Sequence, residues 1–232
     1  MHVFYTPDIL THPELPEEEA RHCVRVLRLE SGSEIMLTDG KGNFYRAQIS
    51  IATNKRCLVD ILETIPQPPL WKGYLHVAMA PTKSLDRTEW FAEKATEIGF
   101  DELTFLNCRF SERKDIKTER ISKIIVSAAK QSLKARLPKI NEITKFKDFV
   151  TTPFDGQKFI AHCYDKPKTP LKEVVVKGER ALVAIGPEGD FSEEEVELAI
   201  ANGFIPVSIG TSRLRTETAA FAACHILNLQ NQ

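Results

Sequence analysis

Three segments of the chain hold residues whose types and spacing could do chemistry. The first is AIGPEGDFSEEE (184–195). An apolar run ends at Ile185, a turn with Gly186, Pro187 and Gly189 follows, and a helix is expected from Ser192. Ligands of open α/β sheets collect at the carboxyl ends of strands. The two glycines would allow close backbone approach and unusual dihedrals, and Pro187 would stiffen the turn. A plain strand-to-helix turn explains the same residues, so this string is weak evidence alone. The second is SIGTSRLRTETAAFAA (208–223), a short strand, Gly210, a polar loop with Arg213 and Arg215, and a helix from about Thr216. Thr216 or Thr218 could cap that helix, and Glu217 suits its first turn. Capping leaves the two arginines unexplained, because a helix N-terminus already favours negative charge. They fit better as binders of phosphate or of an anionic intermediate. The third runs from Arg109 to Lys139, with ten basic and three acidic residues. Such side chains on a helix can follow an RNA backbone, although a solvated helix face has the same composition.

The elements that must position these segments fall into two patterns. Residues 1–65 read as β-rich, with strands expected at 34–39, 44–51 and 57–64 and a hairpin turn at Asp39-Gly40-Lys41-Gly42. One helix, 17–27, interrupts them, with Ala20, Cys23, Val24 and Leu27 on one face. A small barrel-like domain is expected. The segment IPQPPLWKG (65–73), with three prolines in five residues, reads as a linker. Strands and helices then alternate: strands at 75–80, 102–107, 158–163, 181–186 and 207–209, helices at 84–98, 118–135, 192–201 and 216–229. Gly99 closes the first helix. The second carries Ile121, Ile124, Ile125, Ala128 and Leu133 on its apolar face, and Ser192 with Glu195 forms a capping box at the third. Alternation of this kind predicts an α/β domain with a mainly parallel sheet covered by helices.

Composition narrows the function classes. The chain has 232 residues and a formal net charge of −1. Charge is uneven, however: residues 71–140 carry 14 Lys+Arg against 9 Asp+Glu, a net of +5, while each flank has a net of −3. A basic middle of this kind is suited to phosphate. The five cysteines, Cys23, Cys57, Cys108, Cys163 and Cys224, include no CxxC pair, and the histidines form no HxH or HExxH pattern, so no metal site is expected. Each cysteine is expected to be a small buried residue in a reducing compartment. His162 could line a pocket at a strand end, and His225 is expected in the core of its helix. There is no GxxxxGK[ST] and no GxGxxG after an early strand, which argues against P-loop and Rossmann sites, Rossmann-type methyltransferases included. No membrane-length apolar stretch occurs, and MHVFYTPDIL has no signal-peptide pattern, so a cytoplasmic protein without a membrane partner is expected.

Four ordered strings, PTKSLDRTEWFAEKATEIGFDELTFLNCRFSERK (81–114), AAKQSLKARLPKI (128–140), IGPEGDFSEEE (185–195) and SIGTSRLRTETAA (208–220), resemble the 16S rRNA uridine-N3 methyltransferase family, RsmE. HCVRVLRLESGSEIMLTDGKG (22–42) resembles that family's PUA-like RNA-binding domain. The resemblance spans nearly the whole chain. It implies a PUA-like β-barrel domain over 1–68 and a SPOUT α/β knot methyltransferase domain over 73–232, with a trefoil knot, a fold feature that is rare. It implies a homodimer that binds S-adenosylmethionine through His162, Ile185, Gly186, Pro187, Glu188, Gly189, Ile209, Gly210, Leu214, Arg215 and Thr218. Arg215, Glu217 and Thr218 match the family's LRxET motif. The activity implied is methylation of one uridine of 16S rRNA, uracil 1498 in ribosomal numbering, in the 30S subunit. Arg215 would stabilise the deprotonated base, and Glu217 would accept or orient its proton, a role that competes with capping. The expected RNA contacts are Arg21, Arg25, Arg28, Arg109, Arg113, Lys130, Gln131 and Arg136. The chain departs from the family's GPEGG at Asp190, which tolerates positive φ better than most residues, and has His2 where relatives often place an arginine. Two other readings stay open on sequence: a SPOUT enzyme that modifies ribose 2′-OH or another base, and a non-catalytic rRNA-binding assembly factor.

Overall fold

Short runs of β-branched and aromatic residues build the N-terminal part of the chain, and longer apolar runs build the remainder. The computed structural model describes residues 2–53 and 56–232, which divide into two compact units. The first comprises residues 1–69 with 126–137, the second 70–125 with 138–232.

In the first unit, β1 (Val3–Tyr5), β2 (Glu34–Thr38), β3 (Asn43–Ala52) and β4 (Cys57–Pro66) form a sheet in the order β1-β2-β3-β4. β1 runs parallel to β2, and the other pairs are antiparallel. The 39–42 turn joins β2 and β3 with Thr38 opposite Phe44. β4 runs on to Pro66 because it lies at the sheet edge, where a missing backbone N–H is tolerated. The helix expected at 17–27 is α1 (Glu17–Arg21) continued by a π-helical turn over His22–Val26. Ala20 and Cys23 are buried in a core with Phe4, Ile35, Leu37 and Tyr45, whereas Val24 and Leu27 are only half-buried.

In the second unit, the sheet order is β7-β6-β5-β10-β8-β11-β9 and every pair is parallel. Its strands are β5 (Tyr74–Met79), β6 (Glu102–Asn107), β7 (Lys139–Lys145), β8 (Gln157–Ala161), β9 (Thr169–Pro170), β10 (Arg180–Ile185) and β11 (Ile205–Ser208). Helices α2 (Leu85–Ile98), α4 (Phe146–Thr151), α5 (Leu171–Val174), α6 (Glu193–Ala201) and α7 (Thr216–Asn231) surround it. α7 packs on α2, β5 and β10, and α4 on α6. Alternate residues of the central strands feed the α4–α6 side, Ala78, Ala80, Ile160, Leu182 and Ala184 among them. Their neighbours Val77, Met79, Phe159, Val183 and Ile185 are buried as well. Burial of both strand faces is why these strands read as unbroken apolar runs. His225, expected in the core, is exposed, because the buried face of α7 runs through Ala220, Ala223, Cys224, Leu227 and Asn228.

α3 (Thr118–Gln131) ends earlier than the 118–135 expected. Leu133 takes a left-handed φ of 55°, and the Lys134 N–H donates to the Ala129 carbonyl at 2.9 Å, the six-to-one closure that ends a helix. Leu133 therefore leaves the apolar face and is exposed, while Ile121, Ile125 and Ala128 are buried. Residues 126–137, expected within the 73–232 domain, cluster with the first unit. The Gly42 N–H donates to the Ala135 carbonyl and the Leu137 N–H to the Gly40 carbonyl, so the 39–42 turn holds this segment by backbone pairing.

Candidate active site

Strand register fixes one end of the second unit's sheet. Ala161 of β8 stands opposite both Ile185 of β10 and Val207 of β11. The three strands are neighbours and finish at one level, so Gly186, His162 and the Ser208–Ile209–Gly210 segment leave the sheet side by side. The two glycine-bearing bends flank His162 at the carboxyl ends of parallel strands, the edge at which such sheets hold ligands.

The first bend is locked internally and to its surroundings. The Asp190 N–H donates to the Pro187 carbonyl at 2.9 Å, and the left-handed residue is Asp190 itself, with φ 65°. Gly186 and Gly189, expected to supply the unusual dihedrals, lie outside that region. Their role is space: a Cβ on Gly186 would lie 3.0 Å from the Phe191 nitrogen, and one on Gly189 3.0 Å from Phe110 Cβ. Ile185 and Pro187 are buried, and Glu188 is exposed with its Oε1 accepting from the Lys83 N–H at 2.9 Å. Beyond the bend, Ser192 Oγ accepts from the Glu195 N–H, and Glu195 Oε2 accepts from the Ser192 N–H, the capping box that starts α6.

The second bend carries exposed Gly210, Arg213 and Arg215, with Ile209, Leu214 and Thr218 half-buried. Arg215 occupies the N-cap position of α7, and no side chain caps that helix, so neither Thr216 nor Thr218 has the capping role expected of it. Glu217 is buried in the first turn. Its Oε1 lies 3.8 Å from Arg87 Nε, and its Oε2 has no hydrogen-bond partner among the described residues. Arg87 was not singled out in the sequence; a lone arginine four residues before Phe91 in an amphipathic helix gave no signal.

His162 stands between the bends and is only 6% exposed. Neither ring nitrogen has a hydrogen-bond partner among the described residues. Burial, reinforced by the Lys168 ammonium, lowers its pKa below the ordinary imidazole value, so the ring is neutral at pH 7 with one donor and one acceptor nitrogen. The loop after it is tied at several points. Lys168 Nζ donates to the His162 and Tyr164 carbonyls at 3.0 and 2.6 Å, the Cys163 N–H donates to Asp190 Oδ2 at 2.7 Å, and Tyr164 Oη donates to the Phe191 carbonyl at 2.7 Å. Cys163, expected to be buried, is exposed because it lies in this loop past the strand end; the other four cysteines are buried. Burial and the Asp190 carboxylate push its thiol pKa up, and the Arg213 guanidinium opposes them, a cation of the second bend acting on a loop held by the first. A buried imidazole and a buried carboxylate oxygen, both lacking partners, suit a polar ligand with its own donors and acceptors. Among the described residues no group of three or more His, Cys, Asp or Glu could hold a metal ion, and no helix is long and apolar enough to cross a membrane.

The residues expected to meet RNA are partly engaged within the protein. In the second unit, Arg109 Nη1 contacts Glu194 at 3.1 Å, and the Arg113 guanidinium donates to the Thr82 and Lys83 carbonyls. In the first unit, Lys130 pairs with Glu19 at 2.6 Å, Arg136 donates to the Lys41 carbonyl, and Arg21 pairs with Glu17. Arg25, Arg28 and Gln131 are exposed, with no hydrogen bond or ion pair from their side chains among the described residues. Exposed Lys114 and Lys117, within the same basic run, are in the same condition among the described residues.

The fold and this strand-end arrangement define an α/β protein with a candidate ligand site at the carboxyl edge of a parallel sheet. Profile comparison makes the class specific: an RNA methyltransferase domain matches residues 70–228 and an RNA methyltransferase PUA domain matches residues 15–62. The chain belongs to the RNA methyltransferase family. It is similar to a probable rRNA-methyltransferase from Porphyromonas gingivalis, with 41% identity, a TM-score of 0.95 and coverage of 100% of this chain and 98% of that one. A ribosomal RNA small subunit methyltransferase E from Neisseria gonorrhoeae, solved bound to S-adenosyl methionine, is 26% identical with a TM-score of 0.85, covering 97% of this chain and 95% of that one. The Synechocystis protein of the same name is 29% identical over 92% of this chain and 72% of its own length.

Proposed function

We propose that this chain transfers a methyl group from S-adenosylmethionine to N3 of one uridine in 16S rRNA, uracil 1498 in ribosomal numbering, within the small ribosomal subunit. The observation that carries the reading is the common level of the β10, β8 and β11 ends, which sets both glycine-bearing bends against a buried histidine whose two nitrogens lack partners among the described residues. The small-subunit rRNA methyltransferases among its relatives, one of them solved with the cofactor, support the same substrate and donor.

Ile185 to Gly189, His162, Ile209, Gly210, Leu214, Arg215 and Thr218 would hold the cofactor, with His162 donating from one ring nitrogen and accepting at the other. Bound there, S-adenosylmethionine supplies a methyl group already activated on sulfonium. Uracil N3 carries a proton at neutral pH and is a poor nucleophile until it loses it. Glu217 Oε2, buried and without a partner among the described residues, accepts that proton, and Arg215, exposed at the N-cap of the same helix, stabilises the anion left on the base. Turning the uridine out of its helix would bring N3 to the pocket these residues form, and alignment there would contribute much of the rate. The chain would work as a cytoplasmic homodimer, with a trefoil knot in the methyltransferase domain over 73–232. Exposed Trp90 on α2, its ring tilted against Phe221 of α7 with centroids 5.4 Å apart, supports a partner on that face.

Nucleoside mass spectrometry of 30S subunits incubated with the protein and S-adenosylmethionine tests the reading. 3-Methyluridine is expected. A 2′-O-methylated nucleoside or another methylated base would overturn the N3 assignment, and RNA binding without any methylation would overturn the enzyme reading.

A further inference from the structure

We propose that Asp190 is a positioning residue for the cofactor pocket, its carboxylate clamping the Gly186–Asp190 bend to the loop that begins at His162. The inference rests on the reading that this pocket takes S-adenosylmethionine. Asp190 stands at φ 65°, where a side chain is uncommon and glycine is at ease. The strained aspartate carries two acceptors, and both are used. Oδ1 accepts from the Phe191 N–H at 2.8 Å and Oδ2 from the Cys163 N–H at 2.7 Å. The second bond joins residues 27 apart in sequence, one past the end of β10 and the other past the end of its neighbour β8. Tyr164 Oη makes a second tie, to the Phe191 carbonyl, so the His162 loop and the bend are held as one piece. Asp190 grips the backbone N–H of Cys163, the residue directly after His162, whose buried ring has neither nitrogen partnered among the described residues. A shift of that loop moves the ring, and with it the donor and acceptor the cofactor would use. Hydrogen bonds to an ionised acceptor are among the stronger ones, so losing this clamp is felt at the ligand.

Asp190→Gly relaxes the backbone and deletes both acceptors; Asp190→Asn keeps the shape but offers one acceptor where two N–H groups need one each. Calorimetry with S-adenosylmethionine should show about tenfold weaker binding for Asp190→Gly and a smaller loss for Asp190→Asn. KM for the cofactor should rise while kcat on 30S subunits stays within about threefold, and both variants should remain folded, the φ strain that glycine relieves offsetting part of the two lost hydrogen bonds. Cys163, the exposed cysteine of the five, provides a readout that needs no cofactor. Its alkylation by iodoacetamide should quicken in Asp190→Gly, because the backbone tie at Cys163 is lost and the thiol, raised first by burial and then by the carboxylate, is left with the smaller of these influences removed. Wild-type affinity in Asp190→Gly, or unchanged Cys163 alkylation, overturns the clamp. A loss of affinity matched by loss of folding in both variants also overturns it, as a merely structural role. Failure of the unmutated protein to bind S-adenosylmethionine sinks the methyltransferase reading instead.

Discussion

Glu217 is held under 10% exposed in the first turn of α7, yet one of its oxygens has no partner among the described residues. Burying a carboxyl oxygen without a hydrogen bond costs stability. The helix N-terminus repays part of that cost through its dipole, and Arg87, at 3.8 Å, is too distant for a close hydrogen bond. A residue kept in this state is suited to meet a proton or a ligand. Arg215 complements it from the N-cap. If Arg215 stabilises the uracil anion, Arg215→Ala lowers methylation turnover by about 10²–10³-fold, while the dissociation constant for S-adenosylmethionine changes by no more than about threefold. Single-turnover kinetics beside calorimetry separate the two, and unchanged turnover rejects the role. At this scale the sequence showed which residues were unusual but not what they contact. Thr216, Glu217 and Thr218 have the types of capping residues, and their spacing could not reveal that α7 begins uncapped. The positive φ expected of a glycine fell on Asp190 for the same reason: backbone conformation depends on what the turn must reach, here Cys163.

The strands that position these residues have a second polar end. At the amino-terminal edge of the sheet, His76 of β5 bonds Thr104 Oγ1 through Nε2 at 2.8 Å, and Glu102 of β6 accepts from Tyr74 Oη and from Asn141 Nδ2 of β7. Burial, offset in part by the Glu102 charge and reinforced by Lys139 and Arg180, lowers the His76 pKa to about 4. The unfolded chain therefore takes up this proton first as pH falls, so His76 favours the folded state above the ordinary histidine range and the benefit is lost between about pH 6.5 and 4. Glu102, lowered to about 2 by its hydrogen bonds and charged neighbours against the opposing effect of burial, is lost only below the ordinary carboxylate range. The wild-type protein should thus lose about 2 kcal/mol from this histidine between pH 7.5 and 5, and His76→Gln should show a correspondingly flatter profile. Both tryptophans, Trp71 and Trp90, belong to the second unit and report its unfolding in denaturant at each pH; parallel profiles for the two proteins would refute the assignment. The long elements here were legible because strands buried on both faces read as apolar runs and α2 has its glycine stop. β1, β7, β9, α4 and α5 were not, being short, or polar at the edge as in KINEITK of β7.

Across the whole chain, the net charge of +5 over residues 71–140 overstates what is available to a nucleic acid. Lys83, Lys94, Arg109, Arg120, Lys130 and Lys139 each contact a carboxylate, and Arg113 and Arg136 are spent on backbone carbonyls. The prolines at 66, 68 and 69 marked where the first unit's continuous segment ends, but the return of 126–137 to that unit was hidden, because an amphipathic helix does not state which core its apolar face joins. This separates two kinds of cation within the first unit. Lys130, largely buried with Glu19, is structural: Lys130→Gln strands a buried carboxylate and should lower stability with little effect on the salt dependence of RNA binding. Arg25 and Arg28 are exposed and unpaired among the described residues, and Arg28 is held at φ 55°. If each meets one phosphate, replacing both with glutamine reduces the slope of log K against log salt by about 1.5, since each phosphate contact contributes roughly 0.7–0.9. Fluorescence anisotropy with a 16S rRNA fragment, titrated at several salt concentrations, measures that slope. A slope unchanged in the double mutant but reduced in Lys130→Gln would reverse the two roles and place the RNA on the α3 end instead.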